Sequence, residues 1–525
     1  MRVHRPIRAG IGAAVGGLVA AAALVVPHAD AQSTGGGSGP PSPDVGLTSR
    51  QRDVLYNVAK DTWAFYRDDV DPNTHLPLDN LGPGDVRGTY TSAANIGVYL
   101  WAVVAAGDMN LISRATERSM ISATLTEVQK MKRTYGFLYQ WYDTKSGAAI
   151  RNPGDIKCRK ETTPTQDNCW FLSAVDNGWY ASGLAVVRQA LPGLSGLATS
   201  LLRDMDFSIF YDDRAQKEGC NTNPDLPDNP PTGQMYGGYY VQQGPAGYHN
   251  GALYSDPRIA MYMGMGLHQM PGDVWWRTWR TLPPKQCDTD PDFSWQGQWP
   301  PHGYWTTIVD PQSHKSFNVW EGHYTYPGTD LKYIPTFGGG MFEALMAADV
   351  VPEMKWGPKS FGLADARTVQ VQIKYATHRL HLPVWGMSPS STPDDSGGYA
   401  TYGVEGQAFP VGDQLSICTT CAAETTVTPH ASFLALMTNP QAAFENIQKM
   451  RSLFPDVYTT DGGFYDAVNP STGSVGHRRL VLDQSMIMAS LDNALNGNQL
   501  QHYFAMDPTS WAAHTYLSME KMSLN

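Results

Sequence analysis

Amphipathic segments with helical spacing recur along most of this 525-residue chain, and they constrain its fold more than any other feature. The first begins with a capping-box pattern at Thr48 and Gln51, followed by Val54, Leu55 and Val58 at a 3.6-residue period. Further helices are predicted over residues 92–106, 111–135, 173–190, 194–205, 256–269, 341–350, 359–381, 430–437, 440–453, 482–495 and 508–522. About a dozen helices can close as six hairpins into a toroid.

The intervals between these helices are rich in Gly, Pro, Trp and Tyr, and we expect them to contain short strands. No short repeat of fixed length is visible, which disfavours a simple solenoid. We therefore predict an all-α fold, an (α/α)6 toroid. Its long loops, rich in aromatic residues and glycine, and its short strands would gather at one end.

The first 31 residues have the organisation of a secretory signal peptide. Three arginines precede a small apolar run over residues 9–26, and an Ala-x-Ala cleavage site ends at Ala31. A membrane anchor is the alternative, but the run is rich in Gly and Ala and the cleavage site follows directly. We expect export with cleavage near Ala31, a disordered linker over 32–46 and a single folded domain over 47–525.

Composition narrows the class of ligand. The net charge is −11, and no basic patch is interleaved with aromatics, which argues against nucleic acid as the substrate. The 15 Trp and 26 Tyr residues often lie in glycine-rich or polar contexts. Such side chains offer flat stacking faces for a neutral polar ligand, sugar above all, although a large aromatic core is the alternative.

Six cysteines in an exported chain predict disulfide bonds. They lie in loop-like contexts, so we expect the local bridges 158–169, 220–287 and 418–421. Cys418 and Cys421 could instead form half of a zinc site. Because the sequence has no second C-x-x-C and no H-x-x-x-H, we predict no metal.

Carboxylates in aromatic and apolar surroundings are the candidate reactive groups. Glu321 and Glu343 lie in a glycine-rich, aromatic stretch that leads into the apolar helix start at 341–346. Asp176 and Asp256 also stand at predicted helix starts. Carboxylates on apolar faces are usually paired, hydrogen-bonded or catalytic. The alternative is that Glu343 and Asp256 only cap helices.

Other chemistries find no support in the sequence, which contains no G-x-S-x-G, Walker A or H-E-x-x-H pattern. His430 opens a predicted helix with no nearby nucleophile, and we interpret it as a hydrogen-bonding residue. Asp466 and Asp483 precede apolar stretches and are interpreted as loop or cap acids. Glycosidic cleavage requires two carboxyl groups, which the remaining acids could supply.

Ten segments of the chain, taken in order, resemble the glucoamylase-like domain family. They are TSAANIGVYL, YGFLYQWYDTKSG, SAVDNGWYASGL, ALYSDPRIAMYMGMG, VWEGHYTYPG, FGGGMFEALM, PVWGMSPS, VTPHASFLAL, GGFYDAVN and VLDQSMIMASLDNAL. The family includes bacterial endo-β-1,2-glucanases of glycoside hydrolase family 144 and the glycan-processing domain of cyclic β-1,2-glucan synthases. The resemblance runs from about Thr91 to the C-terminus. It implies an (α/α)6 toroid and an enzyme that acts on glucan linkages, usually β-1,2.

The resemblance also implies positions for the acids. Asp256 stands where related domains place the acidic residue of an S-E-A-R-L-like helix start, and Glu343 matches the Glu of an M-F-E motif. Asp176 matches the acid of a V-D-x-G-like helix, and Glu321 the Glu of E-G-H-Y. The sequence departs from its relatives at position 256, where most have Glu. Because Asp is one methylene shorter, its partner or a water must approach it more closely.

From these observations we predict a secreted glycoside hydrolase that cleaves a glucan or related oligosaccharide, with β-1,2-glucan as the first candidate. Asp256 would be the general acid and Glu343 its partner, while Asp176 and Glu321 orient substrate or water. The predicted stacking residues are Trp141, Tyr254, Trp320, Tyr324 and Trp385, and His323 and Gln484 are predicted to bind sugar hydroxyls. No cofactor is predicted. The alternatives are a transglycosylase on the same fold and a non-catalytic glycan-binding protein.

Overall fold

The computed structural model describes residues 46–151, 170–213, 233–281, 302–404 and 425–524. These residues form fifteen α-helices. They are α1 (Ser49–Asp69), α2 (Ala93–Asp108), α3 (Arg114–Lys130), α4 (Ala174–Ala190), α5 (Ser195–Arg203), α6 (Arg258–Gly266), α7 (Asp273–Arg277), α8 (Met341–Leu345), α9 (Glu353–Trp356), α10 (Phe361–Lys374), α11 (Pro429–Leu434), α12 (Pro440–Leu453), α13 (Val481–Leu495), α14 (Gln499–Met506) and α15 (Trp511–Met519).

Twenty-one strands lie between the helices of the described residues, most of them two or three residues long. They are β1 (Asn80–Leu81), β2 (Tyr90–Thr91), β3 (Arg133–Thr134), β4 (Phe137–Leu138), β5 (Trp141–Asp143), β6 (Ala149–Ile150), β7 (Phe171–Ser173), β8 (Tyr211–Asp212), β9 (Gln234–Met235), β10 (Gly238–Tyr240), β11 (Gly244–Pro245), β12 (His302–Val309), β13 (Ser316–Thr325), β14 (Lys332–Tyr333), β15 (Ser390–Ser391), β16 (Tyr399–Ala400), β17 (Tyr458–Thr459), β18 (Gly463–Phe464), β19 (Ala467–Val468), β20 (Val475–Gly476) and β21 (Arg479–Leu480). The prediction of a mainly helical fold with short strands is confirmed.

Local sequence signals account for most of the helix boundaries. The capping box before α1 is present, because the Gln51 amide donates to Thr48 Oγ1 and the Thr48 amide donates to Gln51 Oε1. Helix α12 has the predicted bounds. The sequence prediction omitted α7, α9 and α14. Because α7 and α9 span only five and four residues, they show no periodicity that a sequence could reveal.

The helices that carry the candidate acids pack against one another in series. Helix α2 lies between α4 and α13, α4 also packs against α6, and α11 packs against both α13 and α8. Glycines permit the closest approaches. A Cβ at Gly97 of α2 would lie 2.5 Å from the Trp179 carbonyl oxygen, and one at Gly178 of α4 would lie 2.7 Å from the Ala260 amide nitrogen of α6. Larger residues at these two positions would force the helix starts apart.

One long hairpin departs from the expectation of short strands only. Strands β12 and β13 pair antiparallel over eight positions, with Trp305 opposite Trp320. The aromatic and β-branched residues of β13 suit a pleated, half-buried surface. The stretch 317–346 is therefore divided between this hairpin, β14 and α8, and does not form one site.

Several predictions concern residues outside the described ranges. The signal peptide, most of the linker and all six cysteines with their three expected bridges lie there. Residues 40–525 group as one compact unit. No helix in the described part of the chain is both long and apolar enough to cross a bilayer. Closure of the helices into six hairpins stays a prediction.

Candidate active site

Two predicted acids meet where helices α6 and α8 begin. Asp256 precedes α6 by two residues, and Glu343 lies in the first turn of α8. Their carboxyl groups are within hydrogen-bonding distance of each other. The Ser255 hydroxyl lies 3.3 Å from Asp256 Oδ1 and 3.3 Å from Glu343 Oε2, so it can donate to either. Glu343 is 8% exposed and Asp256 is half-buried. Residues far apart in the sequence thus form one carboxyl pair.

The pair has the electrostatics of two acids that share a proton. Burial raises the pKa of Glu343 well above its usual range, and the Asp256 charge raises it further. Burial also raises the pKa of Asp256, but the hydrogen bond from Glu343 opposes that rise by stabilising the Asp256 carboxylate. Two adjacent carboxyl groups cannot both ionise freely at low dielectric. Of the two acids, Glu343 is therefore the one whose protonated form the surroundings favour more.

A buried arginine fixes the geometry of this pair. Arg258 donates from Nε and Nη2 to the two carboxylate oxygens of Glu353, each at 2.8 Å. Its remaining donor bonds go to the Ser255 carbonyl oxygen at 2.9 Å, the Glu343 carbonyl oxygen at 3.4 Å and the Ala344 carbonyl oxygen. Arg258 and Glu353 are fully buried. One guanidinium thus joins the start of α6 to the helix that carries Glu343.

Asp176 is the third predicted acid in this region. It lies in the first turn of α4, where the Ser173 hydroxyl accepts from the Asp176 amide at 3.3 Å. Burial raises the pKa of Asp176, and the Asp256 charge raises it further. The close α4–α6 contact at Gly178 positions these two helix starts side by side. The structure therefore brings Asp176, Asp256 and Glu343 together.

The carboxyl pair opens into a cavity of about 240 Å³, whose lining includes Tyr248, His249, Ser255, Asp256, Phe337 and Glu343. The orientation of His249 is constrained, because its Nε2 lies 2.8 Å from Asp212 Oδ2 and its ring stacks on Tyr236. The sequence analysis did not identify His249. No local pattern connects it with Asp212, so only the fold reveals this pair.

Glu321 lies in a different cluster. It is buried on β13, and the charged groups that act on it are Glu520 and Arg280. Arg280 is itself bound to Glu520, with an Nη2–Oε2 distance of 2.6 Å. The structure does not bring Glu321 together with the other three acids. Its placement therefore gives no support to a role in orienting substrate or water.

The burial of Glu321 has a consequence for stability. Burial and the Glu520 charge raise its pKa to about 8. Because the folded protein then holds a proton that the unfolded chain has lost, stability falls as pH rises between about 5 and 8, by at most about 1.4 kcal/mol per pH unit. We expect the melting temperature of Glu321→Gln, relative to the wild type, to rise across this interval. Glu445→Gln, an exposed control, should show no such trend, and a pH-independent difference for Glu321→Gln would contradict the expectation.

A second group of acids adjoins the first. Asp466 and Asp483 lie within hydrogen-bonding distance of each other, and His430 Nδ1 is 3.4 Å from Asp483 Oδ2. Burial raises the pKa of Asp483, as does the Asp466 charge, and burial lowers the pKa of His430 to about 4. Neither ring nitrogen of His430 has a hydrogen-bond partner among the described residues, so the structure gives no support to its interpretation as a hydrogen-bonding residue. Its surroundings are carboxylates that only the fold assembles.

The two groups of acids share a neighbour in Tyr399, on β16. Desolvation of its hydroxyl raises the pKa of Tyr399, and the charges of Asp483, Glu343 and Asp466 raise it further. The residue as a whole is nevertheless 52% exposed. Tyr399 is therefore a partly exposed neighbour of both groups of acids. An isolated tyrosine in a Gly/Ser-rich loop carried no sequence signal for this position.

Three predicted stacking residues have little exposed ring surface. Tyr254 is fully buried, and its hydroxyl donates to Asp365 Oδ1 at 2.8 Å. Tyr324 packs against Tyr333 in the core, and Trp385 is 5% exposed. Their aromatic surface is used by packing, which is the alternative that composition had left open.

The other predicted binding residues have mixed placements. Trp141 is half-buried and meets Tyr90 edge to face. Gln484 is buried, and its Nε2 donates to a backbone carbonyl oxygen. His323 is half-buried, with Nδ1 2.8 Å from Ser523 Oγ. Trp320 is half-buried on the hairpin. Trp141 and Trp320 therefore retain accessible aromatic surface.

Comparison with known proteins identifies relatives of two parts of the chain. Residues 306–508 match the family model described as "Putative glucoamylase", and residues 57–250 match one described as "Protein of unknown function (DUF3131)". A segment of 94 residues is 31% identical to the cyclic β-(1,2)-glucan synthase NdvB of Rhizobium meliloti. That segment is 17% of this chain and only 3% of the length of that relative.

Solved structures share the fold over most of the chain. The endo-β-1,2-glucanase from Chitinophaga pinensis, in complex with sophorotriose and glucose, has a TM-score of 0.60 at 14% identity and covers 90% of this chain and 98% of its own. The β-1,2-glucanase from Parabacteroides distasonis has a TM-score of 0.63 at 14% identity. The match covers 90% of this chain and 60% of the glucanase chain. The resemblance to the glucoamylase-like domain family is thereby confirmed, by the match of residues 306–508 to a glucoamylase model and by the fold shared with solved endo-β-1,2-glucanases.

Proposed function

We propose that this chain is a secreted glycoside hydrolase that cleaves a glucan, with β-1,2-linked glucan as the first substrate to test. The observation that carries the proposal is the Asp256–Glu343 pair in the lining of a cavity, where burial and the Asp256 charge raise the pKa of Glu343 and favour its protonated form. A protonated acid at neutral pH is what the departing glycosidic oxygen needs. The glucanase activity of proteins that share the fold supports the choice of substrate.

The contact between the two acids favours Glu343, not Asp256, as the proton donor, because it raises the pKa of Glu343 and lowers that of Asp256. Hydrolysis would transfer the Glu343 proton to the glycosidic oxygen as the C–O bond breaks. The resulting Glu343 carboxylate lies beside the charged Asp256, and this repulsion favours its reprotonation for the next cycle. Asp256 would thus help Glu343 to regain its proton, because the charge of Asp256 keeps the pKa of Glu343 high.

A second carboxylate must activate the water. Because Asp256 and Glu343 are in direct contact, they are closer together than the roughly 5–9.5 Å separations at which two carboxyl groups flank a scissile bond. Asp176 is near enough to feel the Asp256 charge but is not in that contact. We assign it to accept the proton of the attacking water, whose oxygen bonds to the anomeric carbon.

An (α/α)6 toroid is the architecture that we propose for this site. The series α6, α4, α2, α13, α11 and α8 is linked by helix packing. Arg258 connects the two ends of the series, since it lies on α6 and binds carbonyl oxygens of α8. The acids then lie at the starts of inner helices, around one opening.

Aromatic side chains extend from the cavity along the hairpin. The Leu253 amide donates to the Trp279 carbonyl oxygen, beside the cavity-lining Ala252. Trp279 meets Trp305 edge to face at 6.3 Å between ring centroids, and Trp305 meets Trp320 at 5.5 Å. Trp305 and Trp320 are half-buried. This row offers a surface on which sugar rings of a longer substrate could stack.

Substitution of Trp320 tests the role of this row. We expect Trp320→Ala to raise KM with a smaller loss in kcat, because a stacking face contributes alike to the ground state and the transition state. Tyr304→Ala is a suitable control. Tyr304 is exposed on the same hairpin, but its side chain lies on the face opposite to that of Trp305 and Trp320. A fall in kcat at unchanged KM would instead make Trp320 a residue that positions the reaction.

Product analysis with a panel of glucans tests the function itself. We expect purified protein to shorten β-1,2-glucan and to leave β-1,3-, β-1,4- and α-1,4-linked glucans intact. Longer products would show the transglycosylase alternative. Retarded mobility in affinity gels without any product would show the glycan-binding alternative.

Export is part of the proposal and has its own test. We expect the mature chain to begin at Gln32 and to contain no free thiol, because six cysteines would meet an oxidising compartment. Mass spectrometry of secreted protein, with and without reductant, measures both. A retained N-terminus, or cysteines that alkylate without reduction, would contradict it.

A further inference from the structure

Three buried side chains converge where the starts of α11 and α13 meet the loop between β18 and β19. They are His430, Asp466 and Asp483, which are 1%, 2% and 2% exposed. One ligand atom from each lies within 4.8 Å of the other two. Because these residues are widely separated in sequence, no spacing pattern predicted them as a group.

Several polar atoms of this cluster have no hydrogen-bond partner within the part of the chain that the structure describes. Among the described residues, none is found for either ring nitrogen of His430, for Asp466 Oδ1 or for Asp483 Oδ2. Orphaned polar atoms are costly in a protein interior, and three side chains that each bring one ligand atom to the same place indicate a shared ligand. The other oxygen of Asp466 accepts from the Ser391 amide at 2.6 Å, which orients Oδ1.

The distance between the His430 and Asp483 ligand atoms fits metal coordination better than a hydrogen bond. His430 Nδ1 and Asp483 Oδ2 are 3.4 Å apart. Two ligands of a tetrahedral ion with bonds of about 2.1 Å are separated by about 3.4 Å. We propose that His430, Asp466 and Asp483 bind one divalent first-row cation, with Zn²⁺ as the expected ion.

Charge and donor type support this assignment. No lysine or arginine in the described ranges forms an ion pair with Asp466 or Asp483, so a divalent cation would neutralise two carboxylates that otherwise lack compensation. One imidazole with two carboxylates is a donor set for Zn²⁺ or Mn²⁺, whereas Ca²⁺ and Mg²⁺ favour oxygen ligands alone. The site does not depend on the proposed glucanase activity.

Metal binding is testable on tag-free full-length mature protein. We expect chelator-treated protein to take up one Zn²⁺ per chain, measured by elemental analysis after dialysis. Zn²⁺ should raise the melting temperature, because it binds only the folded state, and Mg²⁺ should not. Asp483→Asn and His430→Gln should weaken Zn²⁺ binding by about 100-fold or more, since loss of a group that only hydrogen-bonds to a metal ligand already costs about 10–100-fold.

Asp349→Asn is the matched control, because Asp349 is also buried and also has one carboxylate oxygen without a partner, but lies outside the cluster. This variant should bind Zn²⁺ as the wild type does. A wild type that takes up no Zn²⁺ and shows no thermal shift overturns the proposal. Equal binding by wild type and Asp483→Asn would overturn it too. If the variants fail to fold, the stoichiometry of the wild type still decides.

Discussion

Replacing Glu343 with Gln is expected to lower kcat on the cleaved glucan by about two to four orders of magnitude, the usual contribution of a general acid. The swap is nearly isosteric and keeps the contact with Ser255, so it removes the proton and little else. Circular dichroism and melting temperature should remain close to those of the wild type. Asp349→Asn again serves as a control for the loss of one buried acid. Near-wild-type turnover by a folded Glu343→Gln variant would remove this residue from the mechanism.

Asp256→Asn should act through the pKa of Glu343. Without the negative charge of Asp256, that pKa should fall. The alkaline limb of the kcat profile reports loss of the acid's proton, so we expect it to move to lower pH in this variant. An unchanged limb, with folding intact, would show that the two acids do not share a proton during catalysis.

The second large effect concerns stability. Arg258→Met should cost about 3–5 kcal/mol of folding free energy, because it leaves Glu353 buried without its counter-charge. Chemical denaturation measures this loss. The double variant Arg258→Met, Glu353→Leu should recover much of it, since an apolar pair of similar volume can replace a buried ion pair.

The double variant also separates positioning from mere stability. Arg258 binds the carbonyl oxygens of Glu343 and Ala344 in α8, so a refolded double variant should still show reduced kcat at near-normal KM. If the double variant regained both stability and full turnover, Arg258 would be a structural residue only. The stability of Arg258→Lys should lie between those of the wild type and Arg258→Met, because an ammonium keeps the charge but cannot form the bidentate contact with Glu353.

Helix boundaries were predictable because their signals are local. Capping residues, periodicity and proline positions act within a few residues, so α1 and α12 appear in the structure as expected. The long β12–β13 hairpin was not predicted, since β12 follows a segment of sequence that is rich in Trp, Gly and Pro. Strand pairing depends on residues that are distant in the chain, and no single window of sequence contains it.

The site was predictable only in part, for a related reason. Asp176, Asp256 and Glu343 stand at helix starts that a sequence can locate, and their convergence follows from helix packing. Glu321 has a similar aromatic setting in sequence but lies on a strand, beside Arg280. The cluster at His430 was not predicted because each member alone resembles an ordinary loop or helix-start residue. What distinguishes the cluster is the convergence of three buried side chains that are distant in sequence, which is a property of the fold.

The most direct measurement is the release of new reducing ends from β-1,2-glucan by wild-type protein and Glu343→Gln in parallel, from matched preparations. We predict steady release of shortened oligosaccharides by the wild type and a rate lower by about two orders of magnitude or more in the variant. Equal rates in both would contradict the role of the carboxyl pair. No release by a folded wild type, on this or any other glucan of the panel, would contradict the assignment as a glycoside hydrolase.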